Sequence, residues 1–286
     1  MQRIKPINVS YRIWKKYQRQ GLGALTRSVL VEPFNYARFR WYFCGLSDAR
    51  ATKLIEVNPE DIVYTNARRL RILKWRGRHL EDFIRRGYFK YCGLEAVVDG
   101  SWDRDVIPFA HAIEYRMVFE RYGCGLSWNE TESYRVLMDY LNRGGIVFGC
   151  RTREDLDRRL GYVDALATSI QRNGYLRSSD IEEHGGPGVS YSSNRDRDEV
   201  VVNISRDGDL LYHSLGRHRL ALAKVLGIEK IPVLVKVRHK GWQDIRDEIR
   251  STSKYSDLSE RVRKNLDHPD MQDIVPVEWR DSAPVL

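Results

Sequence analysis

The sequence lacks the features that announce export, a membrane span or a disulfide framework. Its four cysteines, Cys44, Cys92, Cys124 and Cys150, lie far apart with no C-x-x-C pair, so they read as isolated thiols rather than a zinc site or a disulfide frame. No run approaches the ~20 apolar residues that crossing a bilayer requires. The N-terminus carries charge early and has no apolar signal core, which argues against export and for a reducing cytoplasm. Internal repeats and low-complexity tracts are absent, and no helix-turn-helix, zinc-finger or RNA-binding motif is recognisable. What is present is ordinary for a folded protein: 286 residues, 42% hydrophobic and 11% aromatic, enough for one large core or two smaller ones.

Charge is the first uneven property. The net +9 is concentrated in two blocks: residues 1–50 contribute +8 and residues 68–90 contribute +7, which leaves the remainder at −6. Both blocks mix basic residues with Trp and Tyr, as in Tyr11-Arg-Ile-Trp-Lys-Lys-Tyr17. Such a surface suits contact with nucleic acid or with an anionic membrane surface, and equally a basic helix lying on a protein core.

The most informative stretch is Gly208 to Val237. Leu210 to Leu215 is a short apolar run, Gly216 breaks it, and Arg217-His218-Arg219 opens a helix whose apolar stripe is Leu220, Ala223 and Leu226. Gly227 supplies a left-handed stop, and Ile231 to Val237 reads as a β-branched strand. Arg206-Asp-Gly-Asp209 between Val200–Ser205 and the next run predicts a hairpin. Two guanidiniums at i and i+2 beside unpaired helix N–H groups could surround an anion; the alternative is a glycine turn whose arginines pair with Asp or Glu.

These residues resemble the ParB/sulfiredoxin superfamily, whose phosphate-binding motif is a Gly-x-x-Arg turn, an Ala-rich helix, Leu-Gly and an Ile-Pro-Val strand. Here it reads Gly216-Arg217-His218-Arg219, Ala221, Ala223, Leu226-Gly227 and Ile231-Pro232-Val233. Asp164 to Arg177, containing Leu166-Ala-Thr-Ser-Ile170 and Asn173-Gly174, is similar to a second family segment. Leu54 to Val63 is similar to the first strand and turn. The resemblance implies an α+β fold, a small mixed sheet with helices packed on it. It implies a domain over residues 51–250 with a helical insertion at about 65–155, after a basic appendage (1–50) and before a C-terminal helical tail (251–286). Gly145-Ile-Val-Phe-Gly149 is the alternative first strand.

By resemblance, the phosphates of ATP or CTP would sit on Gly216, Arg217, His218 and Arg219. His213 and Ser214 would stand at the strand end facing the ligand, and Gly174 to Leu176 would form a wall. Arg217 occupies the place of the sulfiredoxin catalytic cysteine, so no thiol is available for that chemistry. Some ParB-like proteins are free serine kinases with a carboxylate near the first strand. Glu56 and Glu60 are the residues here that could act as such a base, with Mg2+ as cofactor, toward a small hydroxyl substrate. The segment His239 to Glu248 lacks the family's later motif, which leaves enzyme activity open. Alternatives are a DNA-associated or nuclease-like module and a partner-binding protein without catalysis.

Overall fold

The computed structural model describes residues 44–49, 53–66, 95–180 and 199–280. Almost all of the basic appendage, the basic block 68–90 and the segment 181–198 therefore lie outside the described residues. Among those described, the chain is α+β: seven α-helices and a mixed eight-stranded sheet.

The strands are β1 (Cys44–Leu46), β2 (Leu54–Val57), β3 (Tyr64–Thr65), β4 (Ala96–Val98), β5 (Ile107–Pro108), β6 (Val200–Ile204), β7 (Leu210–Ser214) and β8 (Ile231–His239). They run in the order β1-β4-β8-β6-β7-β3-β5, with β2 also on β8. β8 organises the sheet. β6 pairs parallel along one edge, while the other edge takes β2 antiparallel on its first half and β4 parallel on its second. β6 and eight of the nine residues of β8 are buried, which matches their continuous apolar character and a sheet covered on both faces. β6 and β7 form the expected hairpin; its turn closes with Gly208 N–H donating to Ser205 O at 3.3 Å.

The helices are α1 (Ile113–Val118), α2 (Glu132–Asn142), α3 (Arg153–Asn173), α4 (Arg217–Val225), α5 (Lys240–Ser251), α6 (Glu260–Arg263) and α7 (Val277–Arg280). α3 places Leu156, Leu160, Val163, Ala167 and Ile170 on one buried stripe, and Thr152 caps its start. Between Phe109 and Gly123 the chain runs as a 3₁₀ turn at Phe109–His111, α1, and a π-turn at Phe119–Gly123. Thr131 caps α2, and Ser127 forms a capping box with Glu130 on the preceding 3₁₀ turn. The alternative strand at 145–149 is reduced to a single bridge, Val147 to Cys150, whereas Leu54–Val57 joins the sheet as β2.

Most buried apolar residues form one core, in which α1, α3 and α4 pack on Val200, Val202, Ile204 and Tyr212. A smaller cluster of Ala96, Val98, Trp102, Leu211 and Val237 covers the opposite face. At the C-terminal end a buried ionic network joins β8, α5 and the 3₁₀ turn Pro269–Met271. Arg238 donates to both oxygens of Asp270, at 2.9 and 2.5 Å, and Arg246 grips Asp48 at 2.8 and 2.7 Å. No described helix is long and apolar enough to cross a membrane.

Candidate functional site

β7 ends at Ser214, and the chain then passes through two left-handed residues, Leu215 (φ 58°) and Gly216 (φ 59°), before α4 begins. Glycine is required at the second. A Cβ there would lie 2.8 Å from Val200 Cγ2 and 3.2 Å from the Val200 backbone. Leucine in the first position costs roughly 1–2 kcal/mol. The Tyr212 hydroxyl holds it by donating to Leu215 O at 3.1 Å. The step from left-handed Gly216 to right-handed Arg217 turns successive N–H groups into one concavity, an arrangement that receives anions. No side chain caps α4, and the amides of Arg217, His218 and Arg219 have no acceptor among the described residues. The positive end of the helix dipole adds to them.

The two arginines are not free. Arg217 donates to the buried carboxylate of Glu114 on α1, and its guanidinium lies 5.5 Å from the Tyr212 ring centroid. Arg219 donates to Glu199 Oε2 at 2.9 Å, Ser178 Oγ at 2.6 Å and Leu176 O at 2.5 Å, with its guanidinium 4.4 Å from the Tyr175 centroid. The expectation of two guanidiniums open to an anion is thereby corrected. Side chains of Glu114 and Glu199 are 5% and 1% exposed, and a buried carboxylate requires a paired cation. Arg219 also ties together Ser178 and Glu199, the residues that flank segment 181–198. The arginines build the walls of the turn.

His218, between them, points elsewhere. Its ring packs edge-on against Phe148 at 5.2 Å, and Phe148 is itself left-handed (φ 51°). Burial, with Arg159 and Arg217 nearby, lowers its pKa to about 3, so it is neutral at pH 7. Its Nε2 is sealed from solvent without a partner. The same holds for Arg159 Nε on α3, the Tyr175 hydroxyl and Glu114 Oε2. Eight such atoms occur among the described residues, so half of them gather around the first turn of α4. Each costs about 1–3 kcal/mol when left unmet, which makes the concentration a property of this place rather than of the fold. Arg159 forms no ion pair among the described residues, in contrast to Arg217 and Arg219.

The remaining expected residues divide. Alternation along β7 puts Ser214 on the face of Tyr212, at the base of the turn, and His213 on the opposite face with Leu211. There His213 meets Asn203, with Nδ1 3.4 Å from Asn203 Nδ2, and burial together with Lys236 lowers its pKa to about 3. His213 thus does not join the turn. Gly174 (φ 73°) stops α3 and delivers Tyr175 and Leu176 to Arg219. Glu56 is exposed and accepts from Arg177 at 3.0 Å. Glu60 is exposed and accepts from Lys224 at 3.4 Å, in the last turn of α4 rather than the first. Among the described residues neither glutamate ion-pairs with residues 217–219; the carboxylates that do are Glu114 and Glu199. Glu114 shares the buried stripe of α1 with Met117 and Val118, an acid at an apolar i, i+3, i+4 position that the sequence did display. Among the described residues, no three His, Cys, Asp or Glu side chains gather to hold a metal ion.

No family model matches the chain, and no curated protein or solved structure matches it.

Proposed function

We propose that the turn from Leu215 to Arg219 holds the phosphates of a nucleotide, ATP or CTP, making this a cytoplasmic nucleotide-binding protein of ParB/sulfiredoxin-like organisation. The observation that carries the reading is the left-to-right-handed step at Gly216–Arg217, at the start of an uncapped nine-residue helix whose first three N–H groups have no acceptor among the described residues. Arg159, beside His218 and without an ion pair among the described residues, supports it by supplying a cation. Binding is favoured over phosphotransfer, because Glu56 and Glu60 each face a cation away from the first turn. The nucleic-acid alternative rests on the basic blocks 1–50 and 68–90, of which only residues 44–49 are described.

Thermal shift with ATP, ADP, CTP, GTP and inorganic triphosphate, with and without Mg2+, tests the reading. At ~100 times its dissociation constant a ligand adds roughly 2.7 kcal/mol to stability, a readily measured rise in Tm. Arg159→Ala should reduce that rise. No shift with any of these compounds would refute phosphate binding at the turn.

A further inference from the structure

The two carboxylates at the start of α4 differ in a way that specifies the ligand. Glu199 is closed: Oε1 accepts from Ser178 N–H at 2.5 Å and Oε2 from Arg219 at 2.9 Å. Glu114 is open. Its Oε1 accepts from Arg217, while Oε2 is sealed from solvent with no donor among the described residues. Its side chain is 5% exposed, so the unmet lone pairs belong to a built interior position rather than to a solvated surface acid. In its ion pair with Arg217 the carboxylate offers Oε2 as a hydrogen-bond acceptor. A second phosphate oxygen is therefore repelled from Oε2, and a hydroxyl is welcomed.

We propose that the ligand carries a sugar hydroxyl close to its phosphates, and that Glu114 Oε2 receives it, so the site selects hydroxylated phosphate compounds over bare polyphosphate. The inference rests on the phosphate reading above and adds a residue that the sequence reading did not assign. α1 is the element that brings the acceptor, since it packs along α4 and Arg217 bridges the two helices. Sites built to meet a ligand hydroxyl reject the analogue that lacks it, because the acceptor is then left buried and unpaired.

The test measures binding of ATP, 2′-deoxy-ATP, 3′-deoxy-ATP, 2′,3′-dideoxy-ATP and tripolyphosphate to the whole chain by calorimetry, with the matching cytidine series alongside. The expected result is that removing one particular hydroxyl weakens binding at least about tenfold. In Glu114→Gln the parent nucleotide should weaken, and the difference between parent and deoxy analogue should collapse. Equal affinity of the wild type for nucleotide, dideoxy analogue and tripolyphosphate would overturn the hydroxyl proposal while leaving phosphate binding intact. Undiminished discrimination by Glu114→Gln would assign the hydroxyl to another residue and overturn the role of Glu114. Absence of binding by every compound would instead remove the phosphate reading on which the proposal stands. The wild-type comparison uses ligands alone, so it decides the matter even if the variant folds poorly.

Discussion

Two buried clusters of charge, at opposite ends of the chain's core elements, are finished to different degrees. In the Asp270 network every polar side-chain atom of Asp48, Arg238, Trp242, Arg246 and Asp270 that is sealed from solvent has a partner. Asp270 receives Arg238, Trp242 and Arg246, and Arg246 reaches Asp48, Asp273 and the Asp270 carbonyl. Around the first turn of α4, four sealed atoms, on Glu114, Arg159, Tyr175 and His218, and three helix amides have no partner among the described residues. A network that only has to hold the fold can close every bond, and this one does. A cluster that leaves donors and acceptors unmet spends stability, and the return on it lies in a ligand that meets them.

The comparison breaks first on stability. Asp270→Ala strands the buried Arg238 guanidinium and takes one of three carboxylate partners from Arg246, and should cost about 3–5 kcal/mol, read as a lower urea midpoint or a lower Tm. A cost below about 1 kcal/mol would show the network to be incidental. Arg219→Ala strands Glu199 and unties the flanks of segment 181–198, and should cost about 3 kcal/mol by the same measurement.

Acid should act on the histidines before the aspartates. Burial lowers the His213 and His218 pKa values to about 3, below the ordinary value near 6.5. The unfolded chain therefore binds more protons, and stability is complete above about pH 6.5 and falls as pH drops toward the folded values, by about 1.4 kcal/mol per unit for each ring. His268, also lowered by burial, adds in the same direction. Asp270 runs at lower pH. Hydrogen bonds and charge from Arg238 outweigh its burial and hold its pKa at about 2, so its contribution is complete above about pH 4 and is lost only as pH falls through that value. Denaturation between pH 6.5 and 4.5 should be shallower in His218→Gln than in the wild type; an identical slope would show that His218 titrates normally.

The smallest effect sharpens the contrast most. Replacing Glu114 and Arg217 together, by Leu and Met, should change ligand-free stability by less than about 1 kcal/mol, since one pair with a spare lone pair is exchanged for packing. A cost of several kcal/mol in equilibrium unfolding would make that pair as structural as the Asp270 network.

Local chemistry made part of this legible from sequence. Gly216 and Gly227 bracketed α4, Asp207-Gly208 marked the hairpin, and Gly174 marked the end of α3, because each glycine takes a left-handed conformation that few other residues tolerate. The order of strand, turn, helix and strand followed from these. What the arginines touch did not. Glu114 is 103 residues from Arg217 and Ser178 is 41 from Arg219, so their pairing is decided by tertiary packing. For the same reason the guanidiniums read as ligands from the sequence and proved to be internal ties. His213 went to the wrong face because the apolar run on β7 left no alternation from which to read its side. Glu56 lies within β2 and Glu60 in the turn after it, and their partners, Arg177 and Lys224, draw them from the first turn of α4.

The claim at the centre is that ligand phosphates meet the open amides of α4. Backbone amide resonances followed during nucleotide titration test it directly. The account predicts that the amides of Arg217, His218 and Arg219 shift together and saturate with one dissociation constant, while the Trp242 indole N–H on Asp270 stays in place. Saturable shifts elsewhere, with the amides of residues 217–219 unmoved, would contradict it.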